Sequence, residues 1–204
     1  MPHVAPTTTE LGYGSFGWGD AIVLLPKLLY DVYGNLEPVK RHYDAMKKWV
    51  DFRTRNAKGF LNEQWGFGDW VAPPPGTPNK VIGPMFHARM AKLVANMAAL
   101  LGKTEDARNY NTLFENIVQA INKAHVSEDG HITSDTQTAY VIALRYDILP
   151  VAKRAMAAKH LLAAIERSTG HLNTGFLGTG HLLPALSMVG QDEAAYKLLM
   201  TETY

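Results

Sequence analysis

Helical patterns and two kinds of connection alternate along this chain, and that alternation limits the fold more than any single motif does. Tight stops fall near Gly34, Gly102, Pro150 and Gly190. Long Gly-, Pro- or Thr-rich stretches precede the third, fifth and seventh helical patterns, and a Gly-rich stretch of the same kind precedes the first. No segment alternates apolar and polar residues convincingly as a strand. In an up-and-down array of hairpins, alternate connections lie at opposite ends. The stretches around Trp18/Asp20, 62–70, 134–137 and 174–180 are therefore expected to gather at one end, at the N-termini of the odd-numbered helices. A pole of aromatic, acidic and Gly-rich loops is what a binding crater needs.

The periodicity predicts eight helices. The first follows Asp20, which reads as an N-cap or first-turn acid, and runs to Tyr33. It carries Ile22, Leu25, Leu29 and Val32 on one face, with Pro26 as a kink. Gly34 ends it, and Pro38 opens a second helix that reaches about Arg55. Lys47, Lys48, Arg53 and Arg55 read as its solvated face. The third spans about 81–101, with Phe86, Met90, Leu93 and Met97 at helical spacing. Thr104 is expected to cap the fourth, which ends near His125. The fifth covers about 138–146, the sixth 152–168, the seventh 181–189, and the eighth 192 to about 203.

Two simple closures suit such an array. An open α-solenoid would repeat a sequence pattern every 30–50 residues, and no repeat exists beyond the shared Gly stops. Hairpins of unequal length favour an all-α toroid, with odd helices in an inner ring and even helices outside. At roughly 25 residues per helix and connection, a twelve-helix ring would need about 300 residues. The chain has 204. It is therefore read as one partial α/α-toroid domain over residues 1–204, with about eight helices. Self-association, or a remainder of the barrel, is expected to cover the apolar faces left open.

Composition removes several function classes. Apolar residues make up 47% of the chain and the net charge is +1, so a sizeable core is expected and there is no electrostatic case for nucleic acid or an anionic membrane. The absence of cysteine excludes disulfides and thiolate metal sites. No apolar run approaches the length of a membrane span, and Met1-Pro2-His3-Val4-Ala5-Pro6 lacks the start of a signal peptide. A soluble chain is expected, with the cytoplasm favoured and the compartment otherwise open. No His/Asp/Glu cluster has metal spacing and no phosphate-binding Gly loop is present, so neither metal nor cofactor is expected.

Chemistry concentrates in Asn62-Glu63-Gln64-Trp65-Gly66-Phe67-Gly68-Asp69-Trp70. Indoles beside carboxylates suit a sugar ring, whose C–H faces stack on the indole while its hydroxyls bond to the acid. The competing reading is a loop plug, with Asp69 as a cap or loop brace. Trp18, Asp20, Trp65, Asp69 and Trp70 are the candidate substrate-binding residues, although Asp20 also reads as a helix cap. Glu63 and Asp69 are the in-chain candidates for catalysis. His87 and His181 read as structural, and Met85, Met90 and Met97 as core filling.

Four motifs in order then resemble one family. They are Phe16-Gly17-Trp18-Gly19-Asp20-Ala21; Asn62-Glu63-Gln64 with Phe67-Gly68-Asp69-Trp70; Ser134-Asp135-Thr136-Gln137-Thr138-Ala139-Tyr140; and Thr174-Gly175-Phe176-Leu177-Gly178-Thr179. Their order and spacing over nearly the whole chain are similar to those of bacterial α-L-rhamnosidases. The resemblance implies an (α/α)6 barrel and inverting hydrolysis of terminal α-L-rhamnosides. It also implies that the general acid and general base are glutamates outside this chain: Glu10 and Glu202 do not stand in the family's contexts for them. The positions that match belong to the sugar-binding wall. Two alternatives remain at this point, another six-hairpin glycosidase using an in-chain acid pair such as Asp20 with Asp69 or Glu63, and a non-catalytic helical interaction module.

Overall fold

A computed structural model of the chain describes residues 14–63 and 66–203. Those residues form eight helices: α1 (Ala21–Tyr33), α2 (Glu37–Arg55), α3 (Asn79–Leu100), α4 (Thr104–His125), α5 (Gln137–Arg145), α6 (Val151–Arg167), α7 (Phe176–Met188) and α8 (Asp192–Leu199). Among them the only extended pairings are two isolated bridges, Lys58 with Leu61 and Val126 with Ile132. No described helix is long and apolar enough to cross a membrane.

The helices pack as four consecutive hairpins. The odd helices touch in the order α1–α3–α5–α7, and each carries its even partner on one side. Burial follows this layering. In α5 every residue from Gln137 to Leu144 is buried, and α3 is buried along most of its length, including Val81–Ala88. Helices enclosed on all sides need no polar face, whereas α2 and α4 keep the amphipathic pattern of an outer layer. The structure is thus an arc of an α/α toroid, with the odd helices inside.

The arc leaves its end helices partly uncovered. The stripe predicted on α1 points largely to solvent: Leu25 is 57%, Leu29 40% and Val32 60% exposed, as is Leu28 beside them at 55%, while Val23 and Pro26 are the residues that α1 buries. At the other end, Tyr196, Leu199 and Met200 on and after α8 are exposed. An apolar stripe marks a face that wants a partner. It does not say whether the partner lies within the chain.

Several local expectations differ from the structure. Thr104 is the first helical residue and its side chain makes no cap bond. Asp20 does not cap α1 either: its carboxylate turns back to accept the Gly17 N–H at 2.8 Å. Arg53 is fully buried instead of solvated, donating to the carbonyls of Gly14 (3.1 Å) and Gly83 (3.3 Å), with its guanidinium 5.6 Å from the Phe16 ring. Its neighbour on the basic face, Lys47, pairs with Asp106 at 2.8 Å. Sequence periodicity counted Arg53 as polar surface because its charge gives no hint of the buried acid nearby. Burial depresses the Arg53 guanidinium and the Asp20 charge works against that shift. His87 is enclosed beside it and bonds to Thr54 Oγ1 at 3.0 Å. Burial first and the Arg53 charge second push that imidazole down to about 3, so it is a neutral core residue.

The largest shift of a boundary is at α7. Its helix starts at Phe176, whereas the pattern of Gly and Thr predicted loop as far as Gly180. The reason lies in the site.

Candidate functional site

The long loops do meet at one pole, and hydrogen bonds and close packing bind them to one another. Ser15 Oγ accepts the Phe67 N–H at 3.1 Å, and Asn79 Nδ2 donates to the Gly66 carbonyl at 2.7 Å. The Thr77 and Thr136 hydroxyls bond at 2.7 Å. Gly17 lies so close to Leu177 that a side chain at position 17 would displace it.

Asp69 is the centre of this network. Its Oδ1 accepts the N–H groups of Leu177 (2.8 Å) and Gly178 (3.2 Å). Its Oδ2 accepts the N–H of Gly175 at 2.7 Å and the hydroxyl of Thr138. The Trp70 carbonyl takes the remaining first-turn donor, Phe176 N–H, at 2.9 Å. A helix begins with N–H groups that have no partner within it, and the positive end of its dipole favours an anion. Asp69 supplies both the acceptors and the charge from 106 to 109 residues away in sequence. This is why α7 can start in a Gly/Thr stretch of poor helix propensity. Gly175 is required by the same approach: a Cβ there would meet the carbonyl oxygens of Trp70 and Asp69.

A carboxylate has about four lone-pair sites, and the four donors on Asp69 fill them. Asp20 is similarly engaged. It is 1% exposed and accepts from Gly17 N–H and from Trp49 Nε1 at 2.7 Å. Burial raises its carboxyl above the ordinary range, while Arg53, Gly17 and Trp49 pull it back. The expectation that Asp20 and Asp69 turn their oxygens to a sugar is therefore not met: both brace loops from within. Glu63 is exposed and lies in the field of His125, at the end of outer helix α4. The acid pairs considered from sequence thus have no open carboxylate among the aromatics.

The aromatics themselves come together. Trp18 and Phe67 have ring centroids 5.3 Å apart, and Phe67 meets Trp70 edge-on at 5.6 Å. Trp18 is half-buried and Trp70 is 50% exposed. Phe67, named in the sequence only as a member of the 62–70 stretch, is the ring that joins the two. The expectation for Trp65 lies outside the described residues, as does the one for Glu10. His181 bonds to Tyr146 at 3.1 Å and reads as structural. Sequence reasoning missed Thr138 and Trp49. Thr138 stands inside the 134–140 motif, but its role depends on a partner 69 residues away. Among the described residues no group of His, Asp and Glu could hold a metal ion.

What this chain is similar to accords with that geometry. It matches the family described as the bacterial alpha-L-rhamnosidase 6 hairpin glycosidase domain over residues 1–204. It is 41% identical over 201 residues to an alpha-L-rhamnosidase of Streptomyces avermitilis, covering 98% of this chain and 19% of that protein. An alpha-L-rhamnosidase of Formosa agariphila is 35% identical, with 100% and 23% covered. The crystal structure of the Streptomyces avermitilis enzyme complexed with L-rhamnose superimposes with a TM-score of 0.95 at 41% identity, over 98% of this chain and 19% of that one. The native Aspergillus terreus enzyme gives 0.91 at 27% identity, over 100% and 25%. The chain thus spans about a fifth to a quarter of the length of the relatives it matches. With these likenesses and an inner row of helices carrying the long loops at one pole, the chain belongs to the bacterial α-L-rhamnosidase six-hairpin glycosidase family.

Proposed function

We propose that this chain forms part of the substrate-binding wall of an enzyme that hydrolyses terminal α-L-rhamnosides with inversion. The observation that carries this reading is the Trp18–Phe67–Trp70 row, half open at the pole where the loops converge. Indole faces take up the C–H face of the sugar ring. Asp69 and Asp20 serve by holding the loops that carry Trp70 and Trp18. Inversion needs two carboxyl groups roughly 6.5–9.5 Å apart, one protonating the leaving oxygen and one activating water. Asp69 has no free lone pair and Glu63 is exposed in the field of His125, which accords with the implication of the family likeness that the acid and base lie outside this chain.

Tryptophan fluorescence tests this reading. L-rhamnose is expected to change the emission of the 204-residue chain in a saturable way. Trp70→Ala should weaken binding about tenfold, the loss of one stacking contact of about 1–1.5 kcal/mol, and Trp18→Ala should do likewise. The chain should not hydrolyse an aryl α-L-rhamnoside. Absence of any response to rhamnose sinks the sugar reading, and turnover by this chain sinks the assignment of the acid and base elsewhere.

The open stripe on α1 adds a second expectation. Leu25, Leu28 and Val32 exposed together favour association, since burial of apolar surface contributes about 25 cal/mol per Å². We expect the isolated 204-residue chain to self-associate with rising concentration, and Leu28→Lys with Val32→Glu to reduce it. Light scattering that reports a monomer throughout for the unmodified chain contradicts this.

A further inference from the structure

We infer that the inner face of the arc, at Arg89 and Arg145, docks a helix that is apolar on the side turned to it and places one carboxylate at the two arginines. The family is described by six hairpins, and the described residues of this chain form four. The structure adds the chemistry that such a neighbour must bring. The inference does not depend on which sugar is bound.

Position comes from four helices at once. Arg89 lies in α3, and Arg145 is the last residue of α5. The Arg89 guanidinium stands 5.2 Å from the ring of Tyr146, whose hydroxyl bonds to His181 of α7 at 3.1 Å. Arg145 Nη1 meets the sulfur of Met188, also on α7. The charge of Asp31 on α1 reaches Arg89, and the charges of both arginines reach His181. The place within reach of α1, α3, α5 and α7 together is the hollow that the inner helices share.

Counter-charge is what this hollow lacks. Both arginines are partly buried. Arg89 makes no hydrogen bond or ion pair among the described residues. Arg145 makes no ion pair among them, its Nε is buried without a partner, and its Nη1 faces only a thioether, a weak acceptor. The nearby acids are already engaged, Asp31 with Lys27 and Asp147 with Arg154 at 3.2 Å. Burial first, then Arg145 and Arg89, hold His181 below the ordinary histidine range, so the imidazole adds no anion. Buried charges are normally paired, and the guanidinium fork matches a carboxylate. The surroundings are apolar: Leu28, one turn before Asp31, and Met188 beside Arg145 are both exposed. A small anion would neutralise the arginines and leave these side chains wet. An apolar helix carrying an acid covers both.

The test uses two peptides of about 18 residues, long enough to be helical in water. Both are alanine-based with a leucine stripe, and one has a central glutamate where the other has glutamine. Titrated into the dilute, isotope-labelled 204-residue chain, the glutamate peptide should bind about tenfold more tightly, the scale of one buried charge-assisted hydrogen bond, and shift the Arg145 Nε–H signal. Arg89→Met and Arg145→Met should each reduce that preference, and the double variant should abolish it. Without peptide, neither single variant should have a lower urea midpoint than the parent, since each removes an unpaired, partly buried charge. Equal affinity for the two peptides overturns the proposal, as does a preference that survives in the double variant. A lower urea midpoint in both single variants also overturns it, by showing that the arginines are already compensated within the chain. Two further results replace the proposed helix with another occupant. Acetate that shifts the Arg145 signal at concentrations as low as the glutamate peptide assigns a small-anion site, and self-association lost in the double variant assigns the face to a second copy of the chain.

Discussion

Replacing Asp69 with alanine is expected to destabilise the chain by about 3–5 kcal/mol, the range for removing one partner from a buried, fully bonded charge. Four donors lose their acceptor at once: the N–H groups of Gly175, Leu177 and Gly178, and the hydroxyl of Thr138. The helix dipole of α7 loses its counter-charge as well. Asp69 is 8% exposed, so water can reach part of the vacated space and the loss stays below the sum of four orphaned donors. Asp69→Asn should cost less, because one oxygen remains, although its amide then faces a donor. The second readout is local. Trp70 is held by the bond from Phe176 N–H to its carbonyl, so both variants should broaden the Trp70 indole signal and weaken rhamnose binding. Asp69 acts as a positioning residue in this account. Urea denaturation within about 1 kcal/mol of the parent for Asp69→Ala would refute it.

Arg53→Ala should cost a comparable amount, about 4 kcal/mol, from a cavity in the core together with a buried anion left without its counter-charge. Arg53 is 0% exposed, satisfies two carbonyls and offsets the charge of Asp20, which itself holds Gly17 and Trp49. Arg53→Met separates the two contributions, since it keeps most of the volume and loses the charge. With the arginine gone, the Asp20 carboxyl rises further above its unfolded value. A carboxyl raised in the folded state binds protons more readily there than in the unfolded chain, so its destabilising effect appears as pH rises and is relieved on acidification. Arg53→Met should therefore recover stability relative to the parent between neutral and mildly acidic pH. Asp20→Asn should cost less in that background than in the parent, by about 1 kcal/mol of coupling or more. Strict additivity in thermal or urea denaturation would show that the two charges do not cooperate.

These two acids and one arginine mark where reading the chain by local pattern stops. Local periodicity placed α1 to α6 to within a few residues, because 3.6-residue spacing and Gly or Pro stops act over one or two turns. The start of α7 was not legible. Its first turn is held by Asp69, and no propensity scale contains an acceptor more than 100 residues distant. The aromatic members of the candidate site, Trp18 and Trp70, stood out by composition, and alternation of loops predicted that they share a pole. The roles of the acids did not follow. A carboxylate beside an indole looks the same in sequence whether it faces a sugar or the N-terminus of a helix.

The sequence by itself determined an all-helical array, the pairing of its hairpins, the pole at which the long loops gather and the family. Those properties depend on local periodicity, turn chemistry and the order of motifs. Only the tertiary structure decided which polar groups are spent within the fold. It gave Asp69 to α7, Asp20 to Gly17 and Trp49, and Arg53 to the core, and left Trp18 half-buried and Trp70 half exposed at the pole where the loops meet. The physical reason is that a hydrogen bond depends on separation in space, and closure of the arc brings together groups that the chain keeps far apart.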